Sequence, residues 1–119
     1  MFRRMVFNVA VRNQDDHTKN ISFLMGMDGR WRLSPAYDMG YAYNPKGGWT
    51  AMHQMSLNGK FDNITKTDLI SFAKANNIKN ALELINEVLY SVASWPELAK
   101  ECGVPSTMIQ HILPNMLQI

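Results

Sequence analysis

One cysteine, Cys102, stands among 119 residues, which excludes an internal disulfide and a cysteine-based zinc site and suits a reducing compartment. Charge is scarce as well. Twelve Lys and Arg against ten Asp and Glu leave a formal +2, too small and too scattered to direct the chain to nucleic acid or to an anionic membrane. No apolar run approaches the roughly 20 residues that span a bilayer. The opening Met1–Phe2–Arg3–Arg4 is not that of a signal peptide, because Asn8 interrupts the apolar stretch and Arg12 to Asp16 replace the small-residue cleavage site. The expectation is a cytoplasmic chain. There is no internal repeat and no low-complexity segment. With 46% hydrophobic and 18% charged residues the composition is that of a globular protein, read as a single domain over residues 1–119. An apolar segment at the first residue suggests one piece of a larger assembly.

Phe2, Met5, Val6 and Val9 recur at i, i+3, i+4 and i+7 and predict a helix over 2–12, although the β-branched content leaves a strand open. Arg12 to Asn20 is polar throughout and reads as a loop. Ile21–Met25 and Arg30–Leu33 flank Gly26–Met27–Asp28–Gly29, the turn chemistry of a β-hairpin. Residues 40–63 form a long irregular segment. From Thr65 the character turns helical. Thr65 with Asp68 predicts a capped start, with Leu69, Ile70, Phe72 and Ala73 apolar and Asn76–Asn77 at the end. Asn80 with Glu83 opens a second helix carrying the stripe Leu82, Ile85, Leu89 and Val92. Ser94 and Pro96 open a third that stops at Gly103, and Ser106 begins a last one, bent or ended near Pro114. The fold class is α+β and predominantly helical: helix, loop and hairpin over 1–64, then a helical layer over 65–119.

The loop Asn13–Gln14–Asp15–Asp16–His17–Thr18–Lys19–Asn20, taken alone, is a solvated loop. Its surroundings add meaning. Asp15 is followed five residues later by Asn20, and after the hairpin by Asp38. Asp, Asn at plus five, then a second Asp beyond a hairpin is the order in which protein-kinase folds present a catalytic base and two magnesium ligands. Mg²⁺ prefers hard oxygens, which an amide carbonyl and a carboxylate both supply. Phosphoryl transfer has a loose transition state, so such groups chiefly position reactants and neutralise charge.

This loop, together with Trp31–Arg32–Leu33–Ser34–Pro35–Ala36–Tyr37–Asp38 and His53–Gln54–Met55–Ser56–Leu57–Asn58–Gly59–Lys60, resembles the C-terminal part of the HipA-like serine/threonine kinases. The resemblance implies a kinase-like C-lobe in which Asp15 is the catalytic aspartate and Asn20 and Asp38 hold Mg²⁺. It places His17 near the phosphates of ATP, the co-substrate, while Lys19 reads either as a residue steadying a phosphate or Asp15, or as a simple surface lysine. It also implies a protein substrate and a helix-turn-helix antitoxin as partner, since these enzymes are toxins of bacterial toxin–antitoxin modules. The family's kinases carry an N-lobe with a phosphate-covering glycine loop and a lysine. Neither Gly26–Gly29 nor Gly47–Gly48 has the strand–loop–strand setting of such a loop, so an N-lobe is expected in cis or in trans.

Two other readings stay open at this stage: a non-catalytic remnant or regulatory binding module, and a metal-dependent phosphoesterase using Asp15, Asp16, His17 and Asp38 with His53. Asp16 reads as a solvated charge, and His53 as a structural histidine bonding a backbone carbonyl. Cys102, His111 and most of the nine methionines read as packing residues, and Tyr41, Tyr43 and Trp49 as candidates for an exposed surface.

Overall fold

The computed structural model describes residues 1–116 and 119. Five α-helices and one hairpin follow in the order α1 (Phe2–Val11), β1 (Phe23–Met25), β2 (Trp31–Leu33), α2 (Lys66–Ala75), α3 (Ala81–Ala93), α4 (Trp95–Glu101) and α5 (Ser106–Ile112) among the described residues. This is an α+β arrangement in which helices supply most of the core. Residues 117 and 118, within the expected helical layer, lie outside the described residues.

The helical alternative for the N-terminal segment is the one adopted. Phe2, Val6 and Val9 lie on one face of α1 and are buried, against Leu57 and Ile64 of the irregular segment, Leu69 and Ala73 of α2, and Ile85 and Val88 of α3. Helix α1 ends one residue earlier than its pattern predicts, because Arg12 turns left-handed (φ 53°). A bulky residue rarely adopts that conformation. Here the Arg12 guanidinium lies 4.1 Å over the Tyr43 ring and 3.8 Å from the Asp62 carboxylate. Those two contacts favour the turn that a glycine would have made unaided.

The hairpin is antiparallel, with Phe23 opposite Leu33, Leu24 opposite Arg32 and Met25 opposite Trp31. Its strands are shorter than the apolar runs that announce it. Gly29, at φ 73°, supplies the turn's left-handed residue, and Asp28 closes it by accepting from the Arg30 amide at 3.2 Å. Both faces of β1 are exposed. Arg4 of α1 donates to the Ser34 carbonyl and ties the hairpin's exit to the core helix.

Helix α2 starts with the capping box its sequence announces. The Thr65 hydroxyl accepts from the Asp68 amide while the Asp68 carboxylate accepts from the Thr65 amide at 2.8 Å. Helix α3 departs from expectation: Asn80 is left-handed and makes no side-chain cap, and Val88 is buried where Leu82 is 52% exposed. The apolar stripe is rotated by the packing of α3 on both α1 and α2. Three packing expectations also fail. Cys102 and His111 are exposed, and no methionine belongs to the buried core. Met25 and Met27 sit on the open hairpin, whereas Met5, Met39 and Met55 line a cleft beside α1.

Candidate functional site

The polar loop begins where α1 ends, and backbone bonds set its course. Ala42 donates to the Arg12 carbonyl at 3.1 Å and accepts from the Gln14 amide at 3.2 Å, a parallel bridge that joins the loop to the stretch after Asp38. Asn13 adds a side-chain tie. Its Nδ2 donates to the Asn8 Oδ1 at 3.1 Å and to the Asp38 carbonyl at 3.0 Å, so both amide hydrogens are used. The loop closes on a 3-10 turn, Thr18–Asn20, whose Asn20 amide bonds the His17 carbonyl at 3.0 Å.

These ties bring Asn20, Asp38 and His17 to the lining of one cleft of about 490 Å³, whose apolar part is formed by Met5, Met39, Met55, Phe72 and Ile78 among others. Asp15 is half-exposed beside it, its carboxylate 3.8 Å from the His17 Nε2. Asn20 reaches back to Asp15 through an Nδ2 hydrogen bond to the Asp15 carbonyl at 3.0 Å. An amide whose nitrogen is engaged in this way retains its oxygen as the free acceptor. Asp38 is left-handed (φ 53°), exposed, and its carboxylate enters no hydrogen bond or ion pair among the described residues. A non-glycine residue in that conformation is costly by about 1 kcal/mol, and the Asn13 bond to its carbonyl helps to hold it there. Lys19 is exposed and is fixed by its main chain, with the Tyr37 hydroxyl donating to its carbonyl at 2.9 Å. Its side chain does not line the cleft.

Asp16 is not a solvated charge. It is buried, and it accepts from the His53 Nδ1–H at 2.9 Å and from the Gln54 amide at 2.7 Å. The expected carbonyl partner of His53 is replaced by a carboxylate. With a carboxylate oxygen as the acceptor, Nδ1 is assigned as the donor nitrogen of the ring. The ligand set of a two-metal phosphoesterase is not assembled: among the described residues no group of three His, Cys, Asp or Glu side chains could hold a metal ion. A magnesium ion shared with phosphate oxygens needs fewer protein donors, and an amide oxygen with a carboxylate on one cleft is a suitable hard pair. No helix among the described residues is long and apolar enough to cross a membrane.

Sequence reasoning missed Asn13 and the Asp16–His53 pair. A polar residue directly following a helical apolar stripe was the available signal for Asn13. The other pair joins residues 37 apart and leaves no local pattern.

No curated protein and no solved structure matches the chain. Residues 1–117 match a family described as the HipA-like C-terminal domain. The match spans the loop, the hairpin, the irregular segment and all five helices, and the chain belongs to the family of HipA-like C-terminal domains.

Proposed function

We propose that the chain is the kinase-like C-lobe of a HipA-like serine/threonine kinase, which transfers the γ-phosphoryl group of ATP to a protein hydroxyl. The observation that carries this reading is the shared cleft of Asn20 and Asp38, with Asp15 tied to it by the Asn20 amide. Asp15, half-exposed and free of strong partners, is available to accept a proton from a substrate hydroxyl. Asn20 and Asp38 would hold Mg²⁺, which when bound supplies charge neutralisation on the phosphates. His17 lines the same cleft and would contact a phosphate oxygen bound there; Lys19 would have to swing in from the surface to do so.

The other side of the nucleotide calls for an N-lobe, in the same polypeptide or as a separate chain. Gly26 and Gly29 here serve a hairpin turn, and Gly47 and Gly48 a surface loop. The HipA kinship extends the proposal to a cytoplasmic toxin–antitoxin setting with a helix-turn-helix antitoxin as partner.

The test is transfer of labelled phosphate from ATP to protein, with a matching HipA-like N-lobe supplied. Transfer should require both lobes and be abolished by Asp15→Asn. Robust transfer by the Asp15→Asn protein overturns the assignment. Failure of every lobe pairing, with Mg²⁺–ATP binding retained, favours a non-catalytic regulatory module instead.

A further inference from the structure

Asp16 is a carboxylate taken out of water, its side chain 8% exposed, beside an imidazole that is 2% exposed. Burying such a charge costs several kcal/mol unless donors surround it. Here the donors come from one short segment: the His53 Nδ1–H at 2.9 Å, the Gln54 amide at 2.7 Å and a longer contact from the Met55 amide at 3.4 Å. An apolar pair of equal volume would have filled the space more cheaply. What a polar pair adds is direction, since hydrogen bonds fix orientation as well as distance.

The segment that receives Asp16 is itself referenced to the core. His53 donates its amide to the Phe61 carbonyl at 2.9 Å, and Leu57 and Lys60 exchange backbone bonds at 2.9 and 3.0 Å, forming a short ribbon over residues 53–61. The Leu57 side chain enters the hydrophobic core, and Lys60 pairs with Asp68 at 2.8 Å in the cap of α2. Gln54 turns its side chain back to the Trp49 carbonyl and stiffens the ribbon's start. Met55, Ser56 and Leu57 form part of the cleft wall that faces the site. A chain of contacts therefore runs from the core through the ribbon to Asp16, one peptide bond from Asp15.

We infer that Asp16 and His53 are a positioning pair, which holds the Asp15–Asn20 loop in fixed register against the 53–61 ribbon and thereby sets where the Asp15 carboxylate stands beside the cleft. That Asp15 is what needs positioning comes from the phosphoryl-transfer reading. The register itself does not depend on it. The pair acts through Asp15.

Residue-resolved amide hydrogen exchange on the 119-residue chain tests the register without any activity. His53→Ala should raise exchange at least tenfold at the Gln54 amide and at Asn20 and Ile21, whose amides bond the His17 and Thr18 carbonyls, while α3 stays protected. His53→Asn, which returns an N–H donor near the position of Nδ1, should restore protection. Should His53→Ala not fold, Asp16→Asn keeps the volume and is read by the same amides. Faster exchange confined to residues 54 and 55, or spread equally through α3, overturns the proposal, because the pair would then be a local or a general stabiliser.

In phosphoryl transfer with an N-lobe present, His53→Ala should lower kcat by roughly 100-fold, the scale of a misplaced catalytic group, with the KM for ATP within about threefold of the parent and recovery in His53→Asn. An unchanged kcat overturns the positioning role. Full activity in a parallel Asp15→Asn protein overturns the phosphoryl-transfer reading instead and leaves the exchange result standing.

Discussion

The Asn20 side-chain nitrogen donates to the main-chain carbonyl of Asp15, five residues upstream, at 3.0 Å. The spacing that the kinase pattern requires is therefore also a mechanical link: the residue that would hold a cation fixes the backbone of the residue that would take the proton. Asn20→Asp keeps an oxygen for the cation but loses the N–H, and sets a carboxylate against a carbonyl. Asn20→Ala loses both groups. Each should lower stability by about 1 kcal/mol, a fall in Tm on the order of 4 °C for a domain of this size. Mg²⁺-dependent nucleotide binding, measured with an N-lobe present, should separate them, the alanine variant being the weaker. Equal binding by the two variants would remove Asn20 from the proposed cation site.

Leu69 and Ile85 are fully buried where α1, α2 and α3 meet. Leu69→Ala and Ile85→Ala should each destabilise by about 2–5 kcal/mol, through lost transfer energy and an unfilled cavity. Leu82→Ala, on the exposed side of α3, should change stability by less than about 1 kcal/mol. Urea denaturation of the three proteins reads this directly. A large loss at Leu82 would mean that α3 is rotated from the orientation described.

Asp68 carries the chain's clearest acid-side signature. Its carboxyl is held at about 2, below the usual carboxylate range, first by the Lys60 ammonium and then by the amide and hydroxyl of Thr65. A folded-state value below the unfolded one stabilises the protein above about pH 4 and is lost as pH falls towards 2. Thermal melts between pH 5 and pH 2 should therefore decline less steeply in Asp68→Asn than in the parent. Lys60→Met should move the Asp68 titration upward, read by carboxyl NMR. An unmoved titration would take Lys60 out of its role.

The elements legible in the sequence were those whose cause is local. The i, i+3, i+4 stripe of Phe2, Val6 and Val9 produced α1, the Asp28–Gly29 turn produced the hairpin, and Thr65 with Asp68 produced the cap of α2. Spacing alone brought Asn20 and Asp38 into view together, and both line one cleft. Asp16 was misread because a charged residue in a polar loop carries no mark of burial. Its donors lie beyond the hairpin, on a ribbon without periodicity. The left-handed Arg12 and the rotated stripe of α3 likewise depend on tertiary neighbours, Tyr43 and Asp62 in one case and α1 in the other.

Asn13 supplies the last prediction, because it separates holding a group from being that group. Its two amide hydrogens join the Asn8 side chain to the Asp38 carbonyl, so the buried Asn13 connects the end of α1 to the proposed cation ligand. Asn13→Ala leaves both acceptors unpaired, a cost of about 1–3 kcal/mol, and releases the left-handed Asp38 from one of its restraints. Asp38→Asn removes charge from an exposed side chain and leaves the backbone bond intact. The expected outcome is a split. Asp38→Asn should weaken Mg²⁺-dependent nucleotide binding with little change in Tm. Asn13→Ala should lower Tm and weaken the same binding by roughly 10-fold, as replacement of a residue supporting a metal ligand commonly does. Binding measured by calorimetry across a Mg²⁺ titration, with an N-lobe present, distinguishes the cases. If Asn13→Ala lowers Tm yet binds Mg²⁺–ATP as the parent does, the Asn13 bond stabilises the fold without placing Asp38. If Asp38→Asn also binds as the parent does, Asp38 is not a ligand.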